Sequence, residues 1–148
     1  MAFRGDARSK ELMKRRLDDL RTSTLFTRYW LPAILYIGAI FFVSAQPRLN
    51  PPQPFPNVDK VYHTLEYLLL GFLLARVFWV QLPGRRPLVV ALVALSVGVL
   101  IGTADELFQS TVPGRISSGV DLFADSIGLV IAQVLFLALA RDPLVTRD

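Results

Sequence analysis

Four apolar runs constrain this chain more than any other feature. They are Tyr29 to Ala45, Val61 to Val80, Leu88 to about Gln109, and Val120 to Ala140. Their apolar residues come in blocks, not in period-2 or period-3.6 stripes, which is the pattern of helices surrounded by lipid. A span needs roughly 20 residues at ~1.5 Å each, so the last three runs fit and the first is short. The expected fold is all-α, a membrane bundle of four transmembrane helices with a basic cytoplasmic N-terminal helix. Composition agrees: 53% of the residues are hydrophobic and 19% are charged. The net charge of +4 does not point to nucleic acid, because the basic residues sit where a membrane protein puts them. With no Cys and one His, disulfides, thiolate chemistry and a multi-His metal site within one chain are excluded.

Lys and Arg set the expected orientation. Arg4, Arg8, Lys10, Lys14, Arg15, Arg16, Arg21 and Arg28 precede the first run. Arg85 and Arg86 lie between the second and third, and Arg141 and Arg147 follow the fourth. The opposite side has only Arg48, Lys60 and Arg115. Arg76 lies inside the second run, one turn from its end, where it can snorkel to the interface. Both termini are therefore expected in the cytoplasm, with the 46–60 and 110–119 loops outside. Tyr29, Trp30 and Trp79 then form an aromatic belt at the cytoplasmic interface. For a bacterial protein this means a multi-pass protein of the inner membrane. The expected division is a basic amphipathic segment over 1–28, a membrane domain over 29–140 and a cytoplasmic tail over 141–148.

Val43-Ser44-Ala45 after a basic leader and an apolar stretch also resembles a signal-peptide cleavage site. The 28-residue lead is long for that and three spans follow, so the first run is read as retained. Over residues 9–21, Leu12, Met13, Leu17 and Leu20 share one helical face, Glu11 can pair with Arg15, and Ser9 is a candidate N-cap. This segment reads as a surface helix held to anionic lipid. Five prolines between Gln46 and Val58 predict a stiff, extended loop. Gly38, Gly71, Gly98, Gly102 and Gly128 are read as sites of close helix packing or, equally, as neutral filler.

The polar residues of the spans gather at the outer ends. Asp59, His63 and Tyr67 are spaced by four and share a face, with Lys60 and Glu66 beside them. Asp105 and Gln109 share a face, with Glu106 about 100° round the helix. Asp121 and Asp125 are again four apart. Asp59 and Asp121 have an ordinary role at helix N-termini, where acids favour the macrodipole. Asp105 and Glu106 lie at a helix C-terminus, the wrong end for acids, and at the lipid boundary. They must face the bundle, be paired or be protonated, and Glu66 raises the same problem. Six acids stand against two bases, Lys60 and Arg115, so the group is unsuited to a bare phosphate. It suits a cation, an amine, or a phosphate bridged by a divalent metal. Arg115, in the Pro113-Gly114 turn, is expected to pair bidentately with a carboxylate, and the 113–118 loop to cover the cluster.

The run DKVYHTLEY at 59–67, Gly71, DELFQ at 105–109, PGR at 113–115 and DLFADSIG at 121–128 resembles the VanZ-like membrane protein family. Asp125 stands where the family pattern has Asn. The resemblance implies a small helical membrane protein whose motif residues are Asp59, Lys60, His63, Asp105, Glu106, Gln109, Arg115, Asp121 and Asp125. The founding member is associated with teicoplanin resistance; the family has no established mechanism, and no resistance role is carried over.

Three functions fit the residues. The first is a non-catalytic site for an envelope lipid, a lipid-linked precursor or a cationic amphiphile, with no cofactor beyond a divalent cation. The second is an accessory subunit of a larger membrane protein complex, whose polar cluster clasps the helices. The third is a membrane-embedded hydrolase using His63, Asp105 and Glu106, with Ser117, Ser118 or Thr103 as nucleophile. No GxSxG, HExxH or Walker-type motif supports the third, so an enzyme is the less favoured reading.

Overall fold

The computed structural model describes residues 4–47, 52, 54–115 and 118–140. Its helices are α1 (Arg4–Leu25), α2 (Leu31–Ser44), α3 (Val58–Gln81), α4 (Pro87–Gln109) and α5 (Gly119–Leu139), with a π-helical turn at Phe26–Trp30 and no strand among the described residues. Four helices are long and apolar enough to cross a membrane, the first being the stretch Ser9–Ser44 that includes the π turn. The expected all-α bundle of four spans is thus the observed architecture.

The first span differs in detail from its expected bounds. No Gly or Pro separates residues 21 and 31, so the helix predicted over 9–21 runs on into the span. Ser9 therefore lies inside a helix that begins at Arg4 and is not its cap. The first proline is Pro32, which has no N–H for the Arg28 carbonyl and crowds it. The chain answers with a wide turn just upstream, in which the Leu31 N–H reaches the Phe26 carbonyl. Glu11 and Arg15 pair as expected, at 3.6 Å. The expected 46–58 loop lies partly outside the described residues, as do Arg141 and Arg147 of the tail.

α4 starts with Pro87 in its first turn, where a missing N–H is harmless. α5 starts at Ser118, whose hydroxyl accepts from the Val120 N–H at 3.2 Å. Short connections make α3, α4 and α5 alternate in direction. The start of α3, the end of α4 and the start of α5 therefore share one end of the bundle.

α3 packs most extensively on α5. A Cβ added at Gly128 would lie 2.2 Å from the Thr64 carbonyl oxygen and 2.8 Å from the Leu68 nitrogen. A Cβ at Gly71 would lie 2.6 Å from the Ala132 Cβ. The two backbones meet because these positions carry no side chain. Gly98 and Gly102 are likewise filled, by Leu129 and Tyr67, but Gly38 faces open space and contributes nothing to packing. Tyr67, Leu70, Leu74, Ala94, Leu129 and Ile40 form the core. Leu65, Leu92, Leu100 and Phe123 point outward, each more than half exposed, as lipid-facing residues do.

α2 is held more loosely. Its Tyr36 hydroxyl donates to the Glu66 carbonyl at 3.1 Å, and Phe41 meets Phe108 at 5.7 Å between ring centres. At the far end Trp30 packs edge-on to Phe78 and Trp79 to Phe136. The Arg76 guanidinium lies over the Tyr29 ring at 5.5 Å. These aromatic and basic groups share one end, and the polar cluster occupies the other.

Candidate functional site

The site grows from three helix ends. At the start of α3, Asp59, His63 and Tyr67 follow one another at four-residue spacing. At the end of α4, Asp105, Glu106 and Gln109 are all buried. At the start of α5, Asp121 and Asp125 are buried on the face that meets α3, and Asp125 is 0% exposed.

Charged pairs join α3 to α5. The Lys60 ammonium bridges Asp59, at 2.8 Å, and Asp121. His63 Nδ1 meets Asp125 Oδ1 at 2.9 Å. One turn below, the Thr64 hydroxyl donates to the Ala124 carbonyl at 3.2 Å. Gly128 makes this spacing feasible, because it lets α5 approach the α3 backbone.

An amide organises the other half. Gln109 Nε2 donates to Asp105 Oδ2 at 2.9 Å and to Ser44 Oγ of α2 at 3.2 Å. Its Oε1 accepts from the Arg115 guanidinium at 3.1 Å. The neighbours fix the amide's orientation: the carboxylate needs the NH₂ and the guanidinium needs the oxygen. The Tyr67 hydroxyl reaches Asp105 Oδ2 at a long 3.5 Å. Glu106 Oε2 accepts the Ser118 N–H at 3.0 Å, so one acid at the end of α4 holds the start of α5.

These contacts account for acids at the wrong end of α4. Asp105 is stabilised by an amide and Glu106 by a backbone donor from the next helix, in place of a helix dipole. The compensation is incomplete. Asp105 Oδ1 and Asp125 Oδ2 are buried without a hydrogen-bond partner among the described residues, and so is Arg115 Nε.

All ten predicted positions lie at one end of the bundle. Asp59, Lys60, His63, Asp121 and Asp125 form the α3–α5 half; Asp105, Glu106, Gln109 and Arg115 form the other. Glu66 is half-buried, about one turn along α3 from His63. The carboxylate partner expected for Arg115 is replaced by the Gln109 amide. Of the expected 113–118 cover, Ile116 and Ser117 lie outside the described residues, including Ser117 as a candidate nucleophile. The other two hydroxyl candidates are engaged with backbone: Thr103 donates to the Val99 carbonyl at 2.9 Å, and Ser118 caps α5.

Ser44 and Thr64 join the site although single small polar residues in apolar runs carry no signal of it. Tyr67 was visible through its spacing from His63. Gln133, deeper in α5, donates to the Gly71 carbonyl at 3.1 Å and braces the closest helix contact.

The chemistry available is carboxylate and imidazole. His63, Glu106 and Asp125, from three different helices, each offer one ligand atom within 4.8 Å of the others.

A family model described as VanZ/LLP1 matches residues 9–141. Neither the curated proteins nor the solved structures contain a match to the chain.

Proposed function

The chain belongs to the VanZ/LLP1 family, and on that premise we propose that its polar end is a non-catalytic ligand site at the outer face of a bacterial inner membrane. The ligand class is the headgroup of an envelope lipid or lipid-linked precursor, or a cationic amphiphile. In this reading both termini are cytoplasmic, residues 1–28 form a basic segment on the inner surface, and 29–140 form the membrane domain. The excess of Lys and Arg on that side supports the orientation.

One observation carries the reading. Asp105 and Asp125 are 2% and 0% exposed, yet each keeps an oxygen with no partner among the described residues. Burying a carboxylate so incompletely compensated costs several kcal/mol, on the order of what a bound ligand would return. A cluster built only to join helices gains nothing from buried negative charge left half-partnered.

The alternative is an accessory subunit whose polar end clasps the bundle within a larger complex. It is favoured by the Gln109 amide, which ties α2, α4 and the Arg115 turn together. Native mass spectrometry on protein extracted with its own lipids separates the two, with wild type beside Asp105→Asn/Glu106→Gln. A headgroup-bearing ligand retained by the wild type and lost from the folded double variant is the expected result. Only bulk lipid on both, with a protein partner lost from the variant, favours the accessory subunit.

A further inference from the structure

We propose that His63, Glu106 and Asp125 hold one first-row divalent cation, Zn²⁺ or Mn²⁺, and that this ion makes the site selective for a phosphate-bearing headgroup. The inference rests on the headgroup reading above and narrows it.

Geometry is the first support. Ions of this kind bind nitrogen and oxygen at about 2.0–2.2 Å, which places ligand atoms on one ion roughly 3–4 Å apart. The three side chains offer atoms within 4.8 Å of one another, so side-chain adjustments of up to about 1 Å bring them onto a common centre. The unpartnered oxygen is the second. Asp125 is 0% exposed, its Oδ1 is committed to His63, and its Oδ2 has no hydrogen-bond partner among the described residues. A buried anionic oxygen in that position calls for a cation. Lys60 does not supply it, being shared between Asp59 and Asp121.

Donor chemistry then selects the ion. One imidazole with two carboxylates suits zinc or manganese, whereas Mg²⁺ and Ca²⁺ prefer all-oxygen shells. Three protein ligands leave a position open. Six acids, two bases and a divalent ion still leave this end formally acidic, but the ion's open position accepts an anionic oxygen directly, and a phosphate is the anionic group an envelope lipid presents. The ion would also link α3, α4 and α5 at their shared end.

The test is isothermal titration of EDTA-treated, detergent-purified full-length protein with Zn²⁺ and Mn²⁺, with Mg²⁺ for comparison. Wild type, Asp125→Asn, Glu106→Gln and His63→Ala are compared, each first checked for helicity and a single elution peak. The expected result is one site per chain that prefers Zn²⁺ or Mn²⁺. Each variant should weaken it by more than the roughly tenfold typical of losing a supporting partner. If His63→Ala does not fold, Asp125→Asn decides, because its amide oxygen still accepts from His63. A site absent in wild type, or unchanged in the variants, overturns the proposal. The metal-free wild type is also tested for retained lipid by native mass spectrometry, beside the same protein with Zn²⁺ restored. Phospholipid recovered only with the ion supports the proposal. Lipid held equally well without metal overturns the ion's role and leaves the headgroup reading standing.

Discussion

Along one interface, α3 and α5 meet in two different ways. In the middle, Gly128 lies against the Thr64 carbonyl and Gly71 against Ala132, so backbone touches backbone and no atom can be added. At the polar end the same helices are joined through side chains, Lys60 to Asp121 and His63 to Asp125. The middle is sterically determined and carries no charge; its buried amide Gln133 donates to the Gly71 carbonyl, while its Oε1 has no hydrogen-bond partner among the described residues. The polar end is redundant in carboxylates and leaves two of them half-partnered. The contrast separates a region selected for fit from one that tolerates unfavourable charge, which is the usual mark of a site with work other than stability.

The largest effect is expected at Gly128. Gly128→Ala must push α5 off α3, because the obstructing atoms are backbone and cannot rotate away. The expected loss is at least the ~1–3 kcal/mol of an overpacked core, read as a lowered thermal midpoint in detergent or as loss of the monodisperse species. A midpoint equal to wild type would mean that the helices are not this close.

Gln109→Leu probes the paired part of the polar end. The substitution keeps the volume but removes the donor to Asp105 and Ser44 and the acceptor for Arg115. A loss of about 1–3 kcal/mol is expected from the buried groups left unpaired. Chemical denaturation of the purified variant measures it.

Gly38→Ala should have the smallest effect and the opposite sign. Its Cβ meets nothing within 4 Å, so the variant gains about 0.5–1 kcal/mol of helix propensity and loses no packing. A drop in midpoint would reveal a neighbour against this face of α2.

Much of this contrast was legible in the chain itself. Blockwise hydropathy locates the spans because lipid demands long apolar helices. Four-residue spacing places Asp59, His63 and Tyr67 together because a helix repeats nearly that way. The pairings were less accessible. That Arg115 meets Gln109 and that Ser44 joins the site depend on how each helix rotates about its own axis. Packing sets that rotation, and Gly38 and Gly128 look alike in sequence while only one of them packs. The continuity of α1 with the span has a local cause: the basic-to-apolar change at Arg28 is a change of environment, and nothing there stops a helix.

The stability of Asp105→Asn/Asp125→Asn tests most directly whether the polar end serves a ligand. Both substitutions keep an oxygen for the existing partners, Gln109 and His63, and remove buried negative charge. The measurement is the thermal midpoint of delipidated, metal-free protein beside wild type, so that no bound ligand masks the difference. If the carboxylates serve a ligand, the variant melts at or above the wild-type temperature. If they serve as a clasp, it falls as far as Gly128→Ala, and the polar end is architecture.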